Sequence, residues 1–411
     1  MTQTDCLHLF AGYGIELEYM IVDRDSLDVR PVTDLLLEQV AGTIVNEVEV
    51  GTLCWSNELV LHVIELKTNG PAQSLDGLAS VFQNGIAQVN HCLQGMNARL
   101  LGTAMHPWMD PYRETVLWPH DNSPIYKTYN RIFDCRGHGW SNLQSMHINL
   151  PFCGDEEFGR LHAAIRLVLP LLPALAASSP IYGGTTSGLL DNRLEFYRHN
   201  QQKIPQIAGQ IIPEPVFSRV DYQEKILQRS YAAIAPYDPQ GILQDEWLNS
   251  RGAIARFQRG AIEIRLLDLQ ECPLADLAIA DLVCGVIRTL CRETWSPFHD
   301  QQQIDTGLLA ELLIRVLQNG GDEVIAAPEY LACFGQTGGS LPVSSLWQYL
   351  YAAIQDEVLQ AYHNPLQQIL EQGSLAQRIL RTLPQGFGRK DLCHLYRRLA
   401  DCLEQGVLYA R

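Results

Sequence analysis

The sequence predicts an α+β protein built on a largely antiparallel sheet. Three observations lead there. Apolar residues alternate, or run at strand length, near residues 7–22, 44–54, 58–67, 99–105, 143–151 and 253–269. Helical-period stretches fall between them, near 31–41, 73–97, 157–176 and 219–234, without the regular strand–helix–strand beat of a doubly wound sheet. From about residue 274 the pattern is almost purely helical, with Leu-rich segments near 274–294, 305–318, 343–361, 365–382 and 390–406.

The 411 residues carry a formal net charge of -16, with 46% hydrophobic and 18% charged residues. That suits a folded chain and argues against a nucleic-acid surface, which needs clustered Lys and Arg. Weak boundaries lie near 297–304 and 319–341. The expected organisation is one catalytic domain over 1–411, with a core at 7–290 and a helical region at 291–411 packed on it. The start, MTQTDCLHLF, lacks a basic segment followed by an apolar run, and the apolar stretch near 167–177 is too short to span a bilayer. A cytoplasmic protein without membrane partners is expected. Eleven singly scattered cysteines, none in C-x-x-C spacing, read as reduced thiols.

The first strand reads Gly14-Ile-Glu-Leu-Glu-Tyr19. Residues two apart share a face, so Glu16 and Glu18 project together and Ile15, Leu17 and Tyr19 point the other way. Adjacent carboxylates repel unless something neutralises them, and a hard divalent cation does so well. A solvated sheet face is the alternative. The second strand carries Glu58 and Glu65, whose odd separation puts them on opposite faces unless Glu58 lies at a bend before the strand. In Ser145-Met-His-Ile-Asn-Leu150, Ser145, His147 and Asn149 share a polar face. His147 is a poor ligand for Mg²⁺ but suits Mn²⁺ or a phosphate oxygen. In the last strand Glu263 and Arg265 share a face, either as an ordinary ion pair or as metal ligand and anion clamp.

The chain has no Walker phosphate loop, dinucleotide fingerprint, zincin motif or nucleophile elbow. Gly183-Gly-Thr-Thr-Ser-Gly188 could cradle phosphates, but without a following Lys it reads as a flexible loop.

Taken together, these segments resemble the glutamate–cysteine ligase family, including its carboxylate–amine ligase branch. Gly14–Tyr19 is similar to its G-[IV]-E-x-E-[FY] strand, and Glu58–Glu65 to E-L-x(5)-E. Leu101–Pro107 is similar to a G-T-H-P segment with two inserted residues, and Met146–Asn149 to H-[VI]-[HN]. Ala176–Pro180 resembles S-A-S-S-P, and Gly260–Asp268 the closing E-[VI]-R-x-x-D strand. The match covers roughly residues 12–290.

The resemblance implies a glutamine-synthetase-like fold, in which a curved antiparallel sheet forms a funnel lined by carboxylates. It implies ATP and Mg²⁺, with Mn²⁺ as an alternative, held by Glu16, Glu18, Glu58, Glu65, Glu263 and His147. Arg265 and Glu65 are expected to carry the chemistry. Arg193 or Arg198, with His147, Asn149 and Arg259, are expected to bind ATP or the acid. The implied reaction activates a carboxylate as an acyl phosphate and joins it to an amine, with glutamate and cysteine as the specific expectation. Other substrates of a specialised pathway, or a non-catalytic relative that binds nucleotide or amino acid, are the alternatives. The implied partners are small-molecule amino acids and ATP, and a homo-oligomer is left open.

Overall fold

The computed structural model describes residues 6–410. The first five residues, part of the stretch read for a leader, and the last one lie outside it.

An eight-stranded antiparallel sheet organises the chain. Its strands are β1 (Gly14–Asp23), β2 (Glu47–Val50), β3 (Leu53–Asn57), β4 (Val63–Thr68), β5 (Ala98–Leu101), β6 (Ser145–Pro151), β7 (Ala253–Arg256) and β8 (Ala261–Asp268). The order is β2-β3-β4-β1-β6-β8-β7, and β5 continues the β6 edge of β1, pairing with Met20–Asp23. The antiparallel α+β expectation therefore holds.

Two faces of β1 meet two environments. Ile15, Leu17, Tyr19 and Ile21 are fully buried in the main core. That core includes Phe82, Ile86 and Val89 of α1 (Leu78–Gln94), Leu161 and Ile165 of α2 (Gly154–Val168), and Leu282, Val286 and Leu290 of α3 (Pro273–Cys291). The opposite face is polar at Glu16 and Glu18, then turns apolar at Met20 and Val22. These two pack with Leu375 and Ile379 of α4 (Leu375–Thr382) and with Leu395, Tyr396 and Leu399 of α5 (Arg389–Gln405). The helical C-terminal region thus closes one end of the polar face.

Several boundaries differ from the sequence reading, each for a local reason. The expected strand at 44–54 is a hairpin, because Gly51 takes φ +63° between β2 and β3. The expected strand at 58–67 begins at Val63, after a bend over residues 58–62. The helix read at 365–382 breaks at Gly373, φ +79°, and Ser374 caps the next one with a reciprocal Gln377 bond. The helix read at 157–176 tightens at Leu169–Leu171, where Pro170 lies. Gly183 and Gly184 form the tip of a two-residue hairpin joining Ile181–Tyr182 to Thr185–Thr186, both at positive φ, so the glycines serve a turn.

The reading of all cysteines as reduced is corrected. Cys6 and Cys153 are joined by a disulfide, with Cα atoms 5.6 Å apart. They stand 147 residues apart in sequence, so no spacing pattern reveals the pair. The other nine are free and mostly buried. No helix among the described residues is long and apolar enough to cross a membrane.

Candidate active site

Strand register, more than alternation, assembles the site. Three rows of side chains cross the polar face. Glu47, Ser56, Glu65 and Glu18 are paired in register through β2, β3, β4 and β1. Cys54, Lys67, Glu16 and His147 form the next row. Gly14, Asn149 and Glu263 form the third. A Cβ on Gly14 would lie 2.9 Å from Asn149 Cβ, so the missing side chain lets β1 and β6 close at this point.

His147 sits at the centre. Its Nδ1 lies 3.0 Å from Glu16 Oε2 and 3.7 Å from Glu263 Oε1, while its Nε2 lies 2.9 Å from Ser145 Oγ and 3.9 Å from Glu18 Oε1. Asn149 Nδ2 donates to Glu16 Oε1 at 3.0 Å. Ser145 N and Oγ donate to Glu18 Oε2 at 2.7 and 2.9 Å. Arg265 lies where an extra residue between Ile264 and Leu267 breaks the ladder to β6, and its Nε stands 3.0 Å from Glu263 Oε1. Glu58 occupies the bend before β4, the geometry that its odd spacing from Glu65 required.

Lys67, Arg256 and Ser56 complete the constellation, and sequence reasoning did not single them out. Lys67 Nζ stands 2.9 Å from Glu65 Oε2 and 3.0 Å from Ser56 Oγ. Arg256 donates to Glu263 Oε2 at 3.2 Å. The signal for Lys67 was present: it is two residues from Glu65 on one strand, hence on its face.

The arginines separate. Arg193 is 2% exposed; its Nε donates to buried Asp268 at 2.5 Å and its terminal nitrogens to Arg265 O at 3.4 and 3.3 Å. It lines the site, but its fork is held within the protein. Arg198 pairs with Glu195 at 2.6 Å and lines none of the cavities described below, so the structure does not bring it into the site. Arg259 is exposed on the β7–β8 turn and lines a cavity with Glu16 and Asn149.

Three cavities flank the rows. One of about 410 Å³ is lined by Glu18, Glu58, His147 and Arg265 and walled by Tyr129, Trp140 and Trp247. One of about 310 Å³ holds Gly14, Glu16, Lys67, Asn149 and Arg259. A polar one of about 480 Å³ spans Ser56, Glu58, Glu65 and Lys67.

The electrostatics are those of a site short of positive charge. Burial and the charges of Glu18 and Glu65 push Glu58 well above the usual carboxylate range. Burial and Glu16 push Glu65 up to about 7, against the pull of Lys67. Glu16 goes the other way: its burial is outweighed by the His147 hydrogen bond and charge, with Lys67 adding to them, and its carboxyl is held low. Burial opposes the charged form of His147, but Glu16 and Glu18 hold its pKa above the ordinary value. Five carboxylates thus face three fixed cations, Lys67, Arg256 and Arg265. Ligand atoms of Glu16, His147 and Glu263 lie within 4.8 Å of one another, and so do those of Glu18, Glu65 and His147. This oxygen-rich, over-charged donor set fits hard divalent cations, and the imidazole suits Mn²⁺ as well.

Known proteins place the chain. The profile of glutamate–cysteine ligase family 2 matches residues 13–397. An uncharacterized Archaeoglobus fulgidus protein is 32% identical over 396 residues, 96% of this chain and 99% of its own length. A Bradyrhizobium diazoefficiens protein with the provisional name glutamate–cysteine ligase 2 is 26% identical over 328 residues, 77% of this chain and 68% of its own. Among solved structures, a bifunctional glutathione synthetase from Pasteurella multocida matches with a TM-score of 0.60 at 13% identity. It covers 96% of this chain, which spans about half (53%) of that protein. A glutamate–cysteine ligase from Francisella tularensis, solved in complex with AMP, matches at 0.57 with 12% identity, over 95% of this chain and 88% of its own. Both structures share the fold, with its antiparallel sheet and flanking helices. By the match over nearly its whole length, the chain belongs to glutamate–cysteine ligase family 2.

Proposed function

We propose that the protein is an ATP-dependent carboxylate–amine ligase, with glutamate as the acid and cysteine as the first amine to test. The observation that carries the reading is the buried carboxylate row on β1, β4 and β8, with His147 at its centre and Arg265 beside it. Such a row is costly to assemble unless it serves cations and phosphates. Residues 1–411 would act as one catalytic domain in the cytoplasm, where ATP is at hand.

Glu16, Glu18, Glu58, Glu65, Glu263 and His147 would hold Mg²⁺ or Mn²⁺, which when bound neutralises phosphate charge. The cavity with Glu16, Asn149 and Arg259 is the place for the nucleotide, and the one with Glu18 and Arg265 the place for the acid and amine. A carboxylate is a poor electrophile. Transfer of the γ-phosphoryl group to its oxygen, with release of ADP, makes an acyl phosphate. Arg265 is placed to counter the charge of the transferring group, and catalysis is mainly positioning and charge stabilisation. The amine nitrogen then attacks the acyl carbon, the carbon–oxygen bond to phosphate breaks, and the surplus amine proton leaves to phosphate or water. A closed site protects the intermediate from hydrolysis.

The test follows ADP and product mass with ATP, Mg²⁺, glutamate and a varied amine. The expected result is an amide product, abolished in Glu16→Gln. No amine-dependent ADP release across a broad panel of acids and amines would overturn the reading.

A further inference from the structure

We propose that Arg193 is a positioning residue: with Asp268 it fixes the bulge that carries Arg265, and so sets where the Arg265 guanidinium stands. The role rests on the ligase reading above, in which Arg265 meets the transferring phosphoryl group.

The bulge lies at the centre of the site. On its two sides Ile264 pairs with Ile148 and Leu267 with Met146, so Arg265 and Leu266 together stand against a single residue, His147. The extra residue changes the phase of β8. Leu266 and Leu267, neighbours in sequence, are both buried in the main core. Asp268, which uninterrupted alternation would put on the core face with Ile262 and Ile264, pairs with Ser145 instead. A bulge of this kind re-aims a side chain and disturbs the ladder around it.

The disturbance falls on Arg265 O. Arg265 N donates to Gly252 O at 2.9 Å, one residue before β7 begins. A regular antiparallel pair would return that bond from Gly252 N to Arg265 O. Gly252 N donates to Ile211 O instead, at 2.7 Å. The carbonyl left over meets the Arg193 fork, whose terminal nitrogens donate to it at 3.4 and 3.3 Å.

Arg193 is itself held from behind. It stands at the start of the short helix Asn192–Tyr197, where Asp191 caps Leu194 N at 2.8 Å. Its Nε donates to Asp268 Oδ1 at 2.5 Å and its backbone N to Ser179 Oγ at 3.1 Å. Ser178 N and Ser179 Oγ donate to the other oxygen of Asp268, at 2.8 Å each. Three distant segments, Ala176–Pro180, Asp191–Arg193 and the end of β8, therefore converge on one bulge.

A grip on a substrate carboxylate is the other use of such an arginine. It would compete with Asp268, which is fully buried and paired with Arg193. A buried carboxylate stripped of its partner is strongly destabilising. All three guanidinium nitrogens of Arg193 already have acceptors within the protein. Arg265 is the more open of the two: its side chain is 25% exposed, against 2% for Arg193. One arginine meets the substrate and the other holds it in place.

The experiment uses Arg193→Lys and Asp268→Asn in the full chain, each checked for folding by its thermal transition. Asp268→Asn keeps one oxygen for the serines and removes the charge that holds Arg193. With the acid and amine that the parent turns over, both variants are expected to lose roughly tenfold or more in kcat, with the KM for the acid moved less than about twofold. If Arg193 gripped the acid, Arg193→Lys would raise that KM with kcat little changed, and Asp268→Asn, by freeing the guanidinium, would lower it. Either result overturns the proposal. A crystal structure of Asp268→Asn, or of Arg193→Lys, reads the same point without turnover. The expected result is Arg265 Nε drawn away from Glu263 Oε1 by roughly 1 Å or more. A bulge and an Arg265 guanidinium in their present places overturn the proposal. A parent that releases no amine-dependent ADP counts against the ligase reading, and the variant's structure still decides the role of Arg193.

Discussion

Glu18 and Glu65 stand directly opposite one another across the β1–β4 pair, the least favourable place for two like charges in an antiparallel sheet. Neither is abandoned: Ser145 donates twice to Glu18, and Ser56 and Lys67 donate to Glu65. Glu18→Gln keeps an oxygen acceptor for Ser145 and removes the repulsion. The variant is expected to unfold at equal or higher urea than the parent in metal-free buffer, by about 1 kcal/mol. It should also lose the stabilisation that Mg²⁺ gives the parent. An undiminished Mg²⁺-induced rise in melting temperature would show that Glu18 holds no cation.

Arg193 and Asp268 form an ion pair sealed from solvent, with Ser178 N and Ser179 Oγ also donating to Asp268. Lysine cannot reproduce the fork. Arg193→Lys is expected to lower stability by about 3 kcal/mol, whereas Arg198→Ala, at a half-buried surface pair, changes it by about 0.5 kcal/mol or less. Equal costs by chemical denaturation would contradict the separate placement of the two arginines.

Gly14 meets Asn149 where Asn149 steadies Glu16. Gly14→Ala forces β1 and β6 apart by a few tenths of an ångström at about 1–2 kcal/mol. Activity should fall roughly tenfold, because displacements of this size at a site are amplified in rate. Unchanged kinetics with unchanged stability would mean that the strand pair absorbs the methyl group freely.

Burial holds His62 and His106 down to about 4 and His162 to about 3. Between pH 6.5 and 4 the unfolded chain therefore binds protons that the folded chain refuses. The stability these three confer is complete above pH 6.5 and is lost as pH falls towards 4 for His62 and His106 and towards 3 for His162, at most on the order of 3–5 kcal/mol for each. His106 Nε2 meets Leu27 O at 2.7 Å, a bond glutamine can replace. His106→Gln should show a shallower fall in unfolding free energy over that range. An identical slope in parent and variant would refute the assignment.

Much of the site was legible from alternation alone. The pairs Glu16/Glu18, His147/Asn149 and Glu263/Arg265 each lie two apart on a strand, and each pair does share a face. The remaining partners were not legible in the same way. Ser56, Lys67 and Arg256 act across strands, and Glu58 acts from a bend, so their roles depend on register and loop path. The Cys6–Cys153 disulfide is of the same kind, a contact between distant segments with no local signature.

The sequence by itself determined the antiparallel sheet, the polar face and the identity of the carboxylates on it, because side-chain alternation is a property of a single strand. Only the tertiary structure decided which carboxylates oppose one another, that Arg193 spends its fork on Asp268 while Arg198 stays outside, and that Tyr129, Trp140 and Trp247 line one cavity. Those facts depend on strand order and on the packing of segments far apart in the chain, and no periodicity within one segment encodes the neighbour it will meet.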